Sequence, residues 1–145
     1  MKWITRSHVH VDRVACPWLI KRFVDNQAEF LFAPAGGIEA MAAEQQAILF
    51  DAPGAELGHR GEQCSFDAII QKFQLTDKAL LLMAKIVRAA DTNKLEAHPL
   101  AAGLKAVAEG YSVRFPDDEE NIRRQMDVYD ALYAWCRREV AAGRA

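Results

Sequence analysis

The sequence predicts an α/β (α+β) domain: a small three-stranded sheet, read as parallel, built by the N-terminal half and covered by a helical C-terminal half. Two observations carry this. Strand-like stretches occur only ahead of Ser65 and alternate with helical ones in the order β-α-β-α-β, which suits right-handed crossovers. From Ser65 onward the apolar residues recur at helical spacing and strand signals vanish.

In chain order, residues 3–11 alternate, with Val9 and Val11 expected on one side of a first strand and His8 and His10 on the other. The following "CPWLIKRFVD" reads as a short helix with Pro17 in its first turn, where proline is tolerated. "AEFLFAP" and "AILFDAP" read as two further short strands, each closed by proline, with "GGIEAMAAEQQ" as a helix between them. Four helices are then expected near 65–74, 77–91, 98–110 and 117–141. Thr76 and Asp77 supply capping oxygens for the second of these, whose apolar residues run nearly all round and predict the central buried helix. Pro99 suits the first turn of the third. The last opens on Asp117, Asp118, Glu119 and Glu120, favourable beside a positive helix end. Its i, i+4 spacing pairs Glu119 with Arg123 and Glu120 with Arg124, and Ile122, Met126, Tyr129, Tyr133 and Cys136 form its buried stripe.

The 145 residues make one domain, 1–145, with no linker, repeat or low-complexity tract. A net charge of −2 with scattered Lys and Arg gives no electrostatic support for nucleic-acid binding. The N-terminus turns polar before a signal-peptide core could form, and no window approaches a membrane span, so a cytoplasmic protein without membrane contact is expected. Cys16, Cys64 and Cys136 are widely spaced and odd in number, which argues against a disulfide framework or a zinc ribbon.

Chemistry-bearing residues crowd "TRSHVHVDRVAC". On one strand face, His8 and His10 could meet on one metal, with Asp12 adding an oxygen or orienting a histidine; alternatively one histidine packs inward and the other is solvated. Asp12, Arg13 and Cys16 fall in the loop leaving that strand's C-terminal end, where ligands gather in parallel α/β units. With Pro17 opening the helix, Cys16 sits beside the N-cap, so a reactive thiol or an anion pocket is one reading and a small buried residue the other. A second cluster, "DAPGAELGHRGEQCSF", packs Glu56, His59, Glu62 and Cys64 into a glycine-rich loop that follows the third strand and is delivered to the same sheet edge. Asp91, at the negative end of an apolar helix, calls for a cation nearby, either a metal or Arg88. His98, which caps or lies exposed, and Cys136, read as core, stay outside the site.

The runs "TRSHVHVDRVACPWLIKRFVD", "ELGHRGEQCSF", "IVRAADT" and "VYDALYAWCRR" together resemble the C-terminal domain of the ChrB-type chromate-resistance proteins, from Thr5 to Arg138. The resemblance implies a link to chromate-resistance operons, and longer members, regarded as chromate-responsive regulators, carry a further N-terminal region. This chain begins almost at the shared domain, so a DNA-binding role does not transfer with it. Two chemistries then follow. His8, His10 and His59, with Asp12, Glu56, Cys64 or Asp91, would hold a divalent metal such as zinc, manganese or iron, in a sensor, an accessory protein or an enzyme of unknown substrate. Alternatively Arg6, Arg13, the amides around Cys16 and the histidines would bind chromate or a related oxyanion, with Cys16 or Cys64 available for redox chemistry and Cys16 and Arg13 as catalytic candidates. A third reading makes the aromatic ending a homodimer face.

Overall fold

A computed structural model describes all 145 residues. Its elements are β1 (Lys2–Arg6), α1 (Val11–Leu19) continuing into a π-helical turn (Ile20–Val24), β2 (Glu29–Ala33), α2 (Ile38–Gln45), β3 (Ile48–Leu49), α3 (Ser65–Lys72), α4 (Lys78–Asp91), a 3₁₀ turn (Leu95–Ala97), α5 (Ala101–Arg114) and α6 (Asp118–Ala141). The sheet has the order β2-β1-β3 and is parallel throughout, with Trp3 opposite Phe30 and Ile48. This is the α/β architecture expected.

One sheet face carries Trp3, Phe30 and Phe50 into the main core, where α1, α3, α4 and α6 pack. The other carries Ile4 and Ala33 into a smaller cluster under α2. As expected, α4 is central, burying Leu80, Met83, Ile86 and Val87. Ile122, Tyr129 and Cys136 of the expected α6 stripe are fully buried, while Met126 and Tyr133 are only half-buried. Arg124 pairs with Glu120 as expected at 2.8 Å; Arg123 also turns to Glu120, leaving Glu119 unpaired. No helix is long and apolar enough to cross a membrane.

The N-terminal strand and helix depart from expectation. β1 stops at Arg6, and the chain turns through His8, whose φ of 64° is left-handed. The alternation over residues 7–11 therefore does not extend the strand, and His8 and His10 do not share a strand face. α1 starts at Val11, not at Pro17, and distant carboxylates hold one amide of its first turn and the turn that leads into it. Asp118 accepts from the His8 and Val9 N–H groups at 3.0 and 2.9 Å, and Asp91 accepts from Asp12 N–H at 3.2 Å. Pro17 consequently lies inside the helix, and Cys16 is mid-helix rather than at an N-cap.

Candidate functional site

The C-terminal ends of the strands point into one polar pocket, assembled from four parts of the chain. Asp12 comes from the first turn of α1, Asp51 from the end of the stretch after β3, His59 from the glycine-rich loop and Asp91 from the last residue of α4. His59 Nε2 lies 3.0 Å from Asp91 Oδ2 and 3.5 Å from both Asp12 Oδ2 and Asp51 Oδ1. One ligand atom each from Asp12, His59 and Asp91 lies within 4.8 Å of the other two. Asp51, His59 and Asp91 line a cavity of about 330 Å³, whose walls also include His10, Arg13, Lys105 and Glu109.

Each carboxylate is held by the fold. Asp12 is 1% exposed; its Oδ2 accepts from Ser65 N–H at 2.8 Å and its Oδ1 from Phe66 N–H at 3.1 Å, capping α3 from a remote segment. Asp51 accepts from the Ser65 hydroxyl at 2.8 Å and pairs with Arg13 at 3.2 Å and, more loosely, Arg6 at 3.7 Å. Its backbone is left-handed, φ 45°, an uncommon state for a residue with a side chain. Asp91 takes the Asp12 N–H on one oxygen and faces His59 with the other.

Charge in this pocket is nearly balanced, with Asp12, Asp51 and Asp91 set against Arg6, Arg13 and His59. Hydrogen bonds to Asp12 and Asp51 raise the His59 imidazole to about 10, so at neutral pH it is an imidazolium among three carboxyl groups. Burial, then the neighbouring Asp12 and Asp51 charges, push Asp91 up to about 7. Burial also pushes Asp12 up, against its hydrogen bonds. Burial acts the same way on Asp51, but bonds from His59 and Ser65 and the two arginines outweigh it and hold that carboxyl low.

Of the residues expected in a metal site, the fold brings together Asp12, His59 and Asp91. His10 reaches the cavity wall as the N-cap of α1, whereas His8 is exposed on the turn. Glu56 is on the surface, paired with Lys72 at 2.8 Å, and Glu62 likewise pairs with Lys94. Cys64 is buried at the N-cap of α3, where its amide bonds Asp67, and burial raises its thiol far above the ordinary range.

Of the residues expected in an anion pocket, Arg6 and Arg13 line the cavity, whereas the expected N-cap position of Cys16 is corrected by the fold. Both arginines pair with Asp51, and Cys16 is fully buried, donating to Asp12 Oδ1 at 3.3 Å. Burial and that neighbouring charge drive its thiol up, the opposite of an activated cysteine. The cation beside Asp91 is His59, because Arg88 turns to Asp67 at 2.7 Å. Asp51 was not among the expected residues. The signal was its place at the C-terminal end of "AILFDAP", where a parallel strand delivers side chains to a ligand crevice.

The family model of the ChrB C-terminal domain matches residues 3–136. The chain belongs to that family. Among curated proteins it is 35% identical over 133 residues to Protein ChrB of Cupriavidus metallidurans, an alignment covering 91% of this chain and 40% of that protein. The chain thus spans less than half the length of this relative. No solved structure matches. All four site residues lie inside the stretch that the ChrB C-terminal domain matches.

Proposed function

We propose that this ChrB C-terminal domain binds a divalent cation through Asp12, His59 and Asp91, and that occupancy of this cavity is its contribution to a chromate-resistance response. The observation that carries the reading is the convergence of two carboxylates and one imidazole to within 4.8 Å, with His59 and Asp91 lining an open cavity and Asp12 buried. Mixed oxygen and nitrogen donors fit zinc, manganese or iron, and three protein ligands leave coordination positions for an exogenous group. The residues are pre-oriented for the task. Asp12 is fixed by two helix amides and Asp91 by one, the outer bonding that ligands need in order to hold direction. A bound cation would supply Lewis acidity facing the cavity.

The remaining walls support an anion as the exogenous group. The His10 imidazole and Lys105 also line this cavity, so a chromate-like oxyanion held there would meet hydrogen-bond donors from the protein. Sensing or accessory binding is favoured over thiol redox chemistry, since Cys16 and Cys64 are both fully buried.

Elemental analysis of untagged protein prepared without chelator tests the first step. Near-stoichiometric metal is expected in wild type and in His8→Ala, and its loss in His59→Ala and Asp91→Asn. Metal retained in both of the latter variants, or absent from a folded wild type after reconstitution, would remove the reading. Titration with chromate before and after metal loading then tests the second step; binding that does not depend on metal would separate the two.

A further inference from the structure

We propose that the Asp51 carboxylate is a tethered internal ligand in an oxyanion subsite of this pocket, and that a tetrahedral dianion enters by displacing it. Two carboxylate oxygens face four donors there. Ser65 Oγ and Arg13 Nε lie 2.8 and 3.2 Å away, whereas His59 Nε2 and Arg6 Nη2 stand off at 3.5 and 3.7 Å. An anion with four oxygens satisfies such a ring better than a carboxylate with two. The donors do not depend on the Asp51 side chain for their places. Arg13 Nη1 donates to Ser7 O at 2.8 Å, Arg6 Nε donates to Asp51 O at 3.0 Å, and Ser65 N–H is held by Asp12 at 2.8 Å. Nor does the Asp51 backbone need to move. Its N–H donates to Leu57 O at 2.9 Å and its carbonyl accepts from Arg6, so rotation of the side chain alone vacates the subsite. Space lies beside it: Arg6, Asp51 and His59 line both the main cavity and a second one of about 230 Å³, walled by Ala52, Pro53 and Gly54.

Charge selects a dianion once the cation proposed above is in place, a preference that rests on that reading. A metal ligand must be deprotonated, so His59 is then neutral. The divalent ion, Arg6 and Arg13 together outweigh Asp12 and Asp91 by two charges when Asp51 has turned away, and a sulfate-like dianion balances that surplus. A monoanion would only exchange one negative charge for another. Asp51 thus sets a threshold: it keeps the arginines neutralised until an anion of higher charge competes for them.

Calorimetric titration of the whole chain with inorganic sulfate, metal-free and zinc-loaded, tests this. Asn and Gly both tolerate the left-handed backbone at this position, φ 45°, so Asp51→Asn and Asp51→Gly are expected to fold. Each should tighten sulfate binding at least about tenfold over wild type, Gly more than Asn. Adding Arg13→Gln to Asp51→Asn should abolish the gain. Glu109→Gln, which neutralises another acid of the cavity wall, should raise affinity less than about threefold. A variant too unstable to titrate is read by melting, where sulfate should raise Tm more than it does in wild type. Sulfate binding that is weakened, unchanged or undetectable in both Asp51 variants would overturn the proposal, making Asp51 a prop for the arginines. An equal gain in Glu109→Gln would overturn it too, leaving net charge as the cause. The cation reading fails separately: a chain that holds no zinc but keeps the tenfold gain retains the internal ligand and loses only the preference for a dianion.

Discussion

Helices α3 and α4 follow one another in the chain and both begin against a capping carboxylate, but the carboxylates come from different places. At α4 the cap is Asp77, exposed and next in sequence, accepting from Ala79 and Leu80 N–H at 2.8 and 3.3 Å. At α3 the N-cap residue is Cys64, a poor acceptor, and the oxygens come instead from Asp12, fully buried and donated by another helix. A local cap stabilises one helix. A borrowed cap ties together α1, α3 and, through His59 and Asp91, the loop and α4. The residue that shapes the candidate site is thus also a fastening of the fold.

The largest effect is expected from cutting that fastening. Asp12→Ala leaves two buried amides without acceptors and removes one of three acids from a charge-balanced group. About 3 kcal/mol or more of stability should be lost in urea unfolding, as for other broken buried networks. Asp77→Ala should cost about 1 kcal/mol, the ordinary value of an exposed cap. Equal costs would mean that the remote bonds to Asp12 contribute no more than a local cap does.

Asp91 gives the next contrast, because it serves the site with less of the fold resting on it. It satisfies one amide where Asp12 satisfies two, so Asp91→Asn should retain folding to within about 1 kcal/mol while lowering metal affinity at least about 100-fold. Calorimetric titration with zinc or manganese would measure the second number. If both fell together, Asp91 would be as structural as Asp12 and the distinction between them would vanish.

The site should also respond to pH in opposite directions with and without metal. His59, raised from 6.5 to about 10 in the folded chain, contributes stability that is complete below pH 6.5 and is lost as pH rises through about 10. Asp91, raised to about 7, also binds its proton more tightly folded than unfolded, so its stabilising effect fades as pH rises from about 4 through 7. The metal-free protein should therefore lose stability from neutral to alkaline pH, and His59→Gln should flatten the upper part of that slope. A cation must displace the His59 proton and requires Asp91 ionised, so its affinity should rise over the same range. Parallel slopes in the two forms would exclude His59 as a ligand.

How much of this was legible in the sequence follows from the same contrast. Asp77 could be read as a cap because its partners lie within three residues, and the α4 stripe because its period is local. Strands β2 and β3 could be read because apolar runs closed by proline need no distant information. The start of α1 could not, since Asp91, far along the chain, takes the Asp12 amide of its first turn and Asp118 holds the turn ahead of it. The alternation of His8 and His10 imitated a strand that the left-handed turn at His8 had already ended. Asp12, His59 and Asp91 were picked out by residue type and by delivery to the strand ends. Their convergence, and the entry of Asp51, depend on tertiary packing that no spacing encodes.

Glu56 supplies the smallest and cleanest test, because sequence and structure disagree on it outright. Composition placed it beside His59 in one ligand-rich loop, yet it lies fully on the surface with Lys72 as its partner at 2.8 Å. An exposed pair of this kind contributes less than about 1 kcal/mol and is weakened further by salt. Glu56→Ala should shift stability by no more than about 0.5 kcal/mol and leave metal affinity where it was. The same titration that reads Asp91→Asn reads this variant. A marked loss of affinity would require the loop to swing Glu56 inward on metal binding, a rearrangement that would also break the Glu56–Lys72 pair; Lys72→Ala should then strengthen binding, because it frees the loop. Unchanged affinity in both variants would confine the cradle to residues that the fold already holds together.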